Sequence, residues 1–145
     1  VLHVHSKYAT ILACLEDSVM PPIDQNTMRF YNRVSIDDGY DGMGLADEAE
    51  RLSAALGNNT ILLLGSHGVV VTAPNVAQAF DDLYYFERAC ETLIGAYQTG
   101  KKLRVASHEV AEKTAQHAVF KRKSGEIICK DLTAAWPWLP ALVVV

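Results

Sequence analysis

The chain has 145 residues, half of them hydrophobic, with a formal net charge of −4 and a pI near 5.7. That is enough apolar material for one domain with its own core. The acidic balance excludes a nucleic-acid surface, which needs a basic stripe, because the one dense Lys/Arg run is KRK at 121–123, where it reads as a helix end.

No segment approaches the roughly 18 consecutive apolar residues of a membrane span, and the start lacks the basic region of a signal peptide. Cys14, Cys90 and Cys129 are odd in number and widely spaced, which supports neither a disulfide framework nor a CxxC site. A cytoplasmic protein in a reducing compartment, without membrane or nucleic-acid partners, is the expectation. The chain starts without Met inside an apolar run and finishes AAWPWLPALVVV, so it reads as a piece of a larger domain.

Residues 1–5, VLHVH, predict a buried strand, and Ser6 stands where it would cap a helix over 7–16, in which Tyr8, Ile11, Leu12 and Leu15 recur at helical spacing. Pro21 and Pro22 break the chain; Asp24 predicts the cap of a short helix reaching Phe30, and RVSI at 33–36 alternates as a short strand. After the glycine-rich turn DDGYDGMG at 37–44, Leu45, Ala49, Leu52 and Leu56 mark an amphipathic helix with a solvated acidic face and Gly57 at its left-handed end.

TILLLG at 60–65 predicts a strand covered on both faces; SHG interrupts it and VVVT continues. Asn75 with Gln78 resembles a capping box that opens the longest helix, whose apolar line is Val76, Phe80, Leu83, Cys90, Ile94 and Tyr97, with Gly100 as its stop. LRVAS leads to a last amphipathic helix, HEVAEKTAQHAVFK, ended by Gly125, and no repeat or linker divides the chain.

Five histidines occur, and two of them, His3 and His5, sit one residue apart on the first predicted strand. Side chains at i and i+2 of a strand share a face about 7 Å apart, so two imidazoles there can converge on one ion. A bare HxH is a weak signal. His67 strengthens it, because it stands between Ser66 and Gly68 at a break in two apolar strand runs, where a core strand would carry an aliphatic residue. It reads either as a third ligand of an open metal site or as a histidine satisfied by a carbonyl at a strand end.

The segments HVHSKYATILA and ILLLGSHGVVVTAPNVAQAFDDLYYFERACE resemble the class II aldolase and adducin N-terminal domain family, and the likeness runs from residue 1 to about 105. The resemblance implies a three-layer α/β/α sandwich around a mainly antiparallel sheet, assembled as a homotetramer with active sites between subunits. It implies a single divalent metal, usually Zn2+, held by His3, His5 and His67. Its reaction would be a metal-dependent lyase reaction on a small hydroxycarbonyl compound or sugar phosphate, with a C–C bond broken or formed; related epimerases and decarboxylases use the same site.

Three histidines favour an open catalytic position over a closed structural zinc site. A non-catalytic adducin-like assembly domain is the alternative. Residues 1–145 match the second part of the family domain, and the first part normally supplies the phosphate-binding loops and the acid/base; residues 116–145 do not resemble the family's tail. Asp24, Gln25, Asn26 and Tyr31 receive no role, Tyr84 and Tyr85 read as core or interface packing, the cysteines as small buried hydrophobes, and His108 and His117 as surface residues without a partner.

Overall fold

The computed structural model describes residues 1–39, 48–123 and 143–144. Five short strands form one sheet: β1 (Leu2–Val4), β2 (Val34–Asp37), β3 (Ile61–Leu64), β4 (Gly68–Val71) and β5 (Val143–Val144), in the order β2-β3-β4-β1-β5. β1 pairs antiparallel with β4 and β5, and β3 antiparallel with β4; only β2 and β3 run parallel. The register sets His3 opposite Val70, Leu62 opposite Val70, Leu64 opposite Gly68, and Asp37 beside Leu64.

Alternation along each strand divides these residues between two faces. Leu2, Val4, Val34, Ile36, Ile61, Leu63, Val69 and Val71 lie on one face and join the main hydrophobic core. The helices α1 (Lys7–Ala13) and α4 (Val76–Gln98) cover it, contributing Ala9, Leu12, Phe80, Leu83, Phe86 and Leu93 to the same core. His3, Ser35, Asp37, Leu62, Leu64 and Val70 lie on the opposite face. There α3 (Glu48–Leu56) packs against β2 and β3: the Ser35 hydroxyl donates to the Leu56 carbonyl at 3.1 Å, and Arg51 pairs with Asp37. All four residues of β3 are buried, which is why that run carries no polar alternation.

Between β1 and β2, α2 (Gln25–Arg29) packs on α4 and on α5 (His108–Lys123), which runs through the KRK sequence. Asp24 caps α2 in a reciprocal box with Thr27. Arg29 binds both Asp81 and Asp82, Arg33 reaches Asp82 at 3.6 Å, and the Arg29 guanidinium lies 4.4 Å from the centre of the Tyr85 ring. Asp82 is fully buried, so this cluster fixes α2 to α4 by paired rather than isolated charge.

Several expectations are corrected. α1 ends at Ala13 with Cys14 as its cap, short of residue 16, and Cys14 is exposed, unlike the fully buried Cys90. Val76 and Tyr97, taken as apolar-face positions of α4, are exposed because they sit at its two ends beyond the sheet. Asn75 accepts from the Gln78 backbone N–H at 2.9 Å, so the box is realised on its Asn75 side. Gly57 and Gly100 both have positive φ, as their helix-ending positions require. The turn beyond residue 39, the start of the third helix at 45–47, Gly125, Cys129 and the tail over 124–142 lie outside the described residues. Among the described residues no helix is long and apolar enough to cross a membrane.

Candidate metal centre

His3 is the middle residue of β1, and His5 follows two positions on, just past the strand. His67 belongs to the tight connection between β3 and β4, which is pinned from three sides. Gly65 N–H donates to the Asp37 carbonyl at 2.8 Å, Ser66 N–H to the Ala13 carbonyl at 2.9 Å, and His67 N–H to the Leu64 carbonyl at 3.0 Å. Ser66 takes a left-handed conformation, φ 57°, to make the turn. Antiparallel pairing of β4 with β1 then carries the connection back over the histidine pair.

The three rings meet edge to face, with centroids 5.1 Å apart for His3–His5, 4.9 Å for His3–His67 and 4.7 Å for His5–His67. One ring nitrogen from each falls within 4.8 Å of the others. The His3 and His5 Nε2 atoms are 3.3 Å apart. Two nitrogens each about 2.0–2.1 Å from a tetrahedral zinc would stand roughly 3.3 Å apart, so the pair fits a shared cation. His3 Nδ1–H donates to the Val69 carbonyl at 3.2 Å, which fixes the ring and turns its Nε2 lone pair toward the other two. The donor set fits a divalent metal.

Burial lowers the pKa of His3 from its ordinary 6.5; the Val69 carbonyl and Glu48 oppose the shift, and His5 adds to it. Burial also lowers His67, assisted by repulsion from His3 and His5 and opposed by Glu48. The unfolded chain therefore binds more protons than the folded chain at these positions once the pH drops below about 6.5. The metal-free protein is expected to keep this contribution to stability above that pH and lose it progressively below, which thermal unfolding in a chelating buffer across pH 5–8 will read. Stability that rises on acidification over this window would contradict it.

Gly68 makes the close approach possible. A Cβ there would stand 2.6 Å from the Val4 carbonyl oxygen and 2.8 Å from His5 Cδ2. Gly68→Ala must push β1 away from β4 or turn the His5 ring, at a cost of about 1–3 kcal/mol. Its melting temperature is expected to fall, and an unchanged melt would show that β1 gives way freely.

A residue that sequence reading missed holds β1 and α1 in place. Glu87, buried on α4, accepts from the Ser6 hydroxyl at 2.7 Å and from the Tyr8 and Ala9 backbone N–H groups at 2.8 and 2.9 Å. Ser6 occupies the cap position of α1 but makes no cap bond to the helix; Glu87 supplies that acceptor from 81 residues away. The only sequence signal was an acidic residue beside Phe86 on an otherwise core-facing helix.

The structure brings His3, His5 and His67 together and leaves the other candidates elsewhere. Asp24 is a helix cap. Tyr31, given no role, bonds to His108 through its hydroxyl and Nδ1 at 3.1 Å, so His108 is exposed but not partnerless; His117 is exposed. Tyr84 and Tyr85 are half-buried and pack ring against ring at 5.3 Å. An open groove of about 520 Å³ runs between the end of α1 and the β3–β4 connection, lined by Cys14, Glu16, Asp38 and Ser66 among others.

A mixed, mainly antiparallel sheet with helices on both faces and three imidazoles at one strand connection define the class, and the comparisons agree. The chain belongs to the Class II Aldolase and Adducin N-terminal domain family, whose family model matches residues 1–94. It is 29% identical over 104 residues to a Pseudomonas aeruginosa protein assigned by name to aldolase class 2, covering 71% of this chain and 39% of that protein. A protein of Caulobacter vibrioides with the same assignment is 26% identical over 113 residues, 77% of this chain and 43% of that one.

Among solved structures, an aldolase II superfamily protein from Pseudomonas syringae superimposes with a TM-score of 0.73 at 28% identity, over 87% of this chain and 53% of that chain. An L-fuculose 1-phosphate aldolase gives 0.62 at 26% identity, over 79% and 53%. The chain thus spans about half the length of the structures it matches, and less of the curated relatives.

Proposed function

We propose that this chain carries the metal-binding part of an aldolase-type lyase that acts on a small sugar phosphate or related hydroxycarbonyl compound. The observation that supports it most is the convergence of His3, His5 and His67, with one ring nitrogen from each within 4.8 Å of the others. His3 would bind through Nε2, its Nδ1–H being committed to the Val69 carbonyl, and His5 and His67 would complete a set of three. Zinc suits three imidazole donors with a further position left open. When bound, such an ion supplies a Lewis acid that polarises the adjacent oxygens of a hydroxycarbonyl substrate.

The chain's own residues orient that centre rather than perform proton transfer. The β3–β4 turn fixes His67, and Gly68 lets β1 close on it. A homotetramer is the assembly the family resemblance implies. The test has two readouts: metal per chain by elemental mass spectrometry, and aldehyde release from a panel of ketose phosphates that includes L-fuculose 1-phosphate. About one zinc-like ion per chain with aldehyde release supports the reading. Metal without turnover would keep the centre and reject the lyase activity for this chain alone; no uptake of metal would sink both.

A further inference from the structure

Three neutral imidazoles bring no charge to a dication, so a carboxylate nearby would add to the hold on it. Glu48 stands at the start of α3. That helix lies on the sheet face that carries His3, because Arg51 of α3 pairs with Asp37, and Asp37 shares its face with Leu64, Val70 and His3 through the strand register. Arg51 also reaches the Glu48 carboxylate at 3.5 Å, tying it toward the end of β2 and β3 from which His67 springs.

Glu48 is a charge that opposes the burial effect at both His3 and His67, which supports its proximity to the cluster. An acidic residue in a first helical turn has an ordinary role in balancing the helix dipole. Glu50 occupies the same turn and can serve it.

We propose that Glu48 is the charge-balancing carboxylate of the three-histidine centre, strengthening its hold on a divalent cation from the first turn of α3. The inference rests on the metal-centre reading above and deepens it. Co2+ and Zn2+ titrations of the chain, followed by competition with a chromogenic chelator, compare the wild type with Glu48→Gln, Glu48→Asp and Glu50→Gln. Glu48→Gln is expected to weaken binding about tenfold, in the range for a residue that acts through the ligands. Glu48→Asp should restore most of it, and Glu50→Gln should bind as the wild type does.

Equal affinity of wild type and Glu48→Gln overturns the inference while leaving the centre intact. So does an equal loss in Glu50→Gln, which would mean a general field, or a loss in Glu48→Asp as deep as in Glu48→Gln together with a lowered melting temperature, which would mean a packing role. A wild-type chain that takes up neither ion overturns the centre itself and this inference with it.

Discussion

Alanine at His3 or at His67 is expected to remove measurable zinc binding from the chain. Replacing a group that merely steadies a metal ligand costs roughly 10–100-fold in affinity, and loss of a ligand itself should exceed that, because two remaining imidazoles cannot close a tetrahedral set. The two variants probe different elements, since His3 lies on β1 and His67 on the β3–β4 connection. Both should fold: His3 and His67 are only half-buried, and neither belongs to the main core. Circular dichroism separates loss of fold from loss of metal, and calorimetric titration reads the affinity. If either variant binds zinc as the wild type does, that histidine is not a ligand.

The second large effect is expected at Glu87. Its carboxylate holds one hydroxyl and two backbone N–H groups at the start of α1. Hydrogen bonds to a charged acceptor contribute about 1.5–3 kcal/mol each, and buried donors left unsatisfied cost more than the bonds contributed. Glu87→Ala should therefore cost about 3 kcal/mol or more, a fall of roughly 10 °C in melting temperature for a chain of this size. Glu87→Gln keeps one acceptor oxygen and should fall between alanine and the wild type. A melt unchanged in Glu87→Ala would mean that water replaces the carboxylate, and that α1 does not depend on α4 for its first turn.

What could be read in advance followed from periodicity. The i, i+2 spacing of His3 and His5 needs only a strand to bring their side chains to one face, and a strand is what residues 2–4 form. His67 stood out because a polar residue broke an apolar run, and the break is the turn itself. Glu87, Asp81 and Asp82 were not legible, because a carboxylate on a long helix reads as solvated until the element that covers it is known. Here the coverings, Ser6 with the start of α1, and Arg29 with Arg33, come from segments 52 to 81 residues away. Cys14 failed for the converse reason: its apolar neighbours suggested burial, but α1 stops there and turns the thiol outward.

The hydrogen bond from His3 to Val69 closes 66 residues of intervening chain. Joining chain ends across such a span carries an entropic cost that grows with the logarithm of its length, and contacts of this separation form late in folding. The first histidine to leave the ribosome must therefore wait for the fourth strand before it meets its companions. Zinc offered to the nascent or denatured chain would find scattered imidazoles, whereas zinc offered after strand closure would find an assembled trio, so metallation should follow folding rather than guide it.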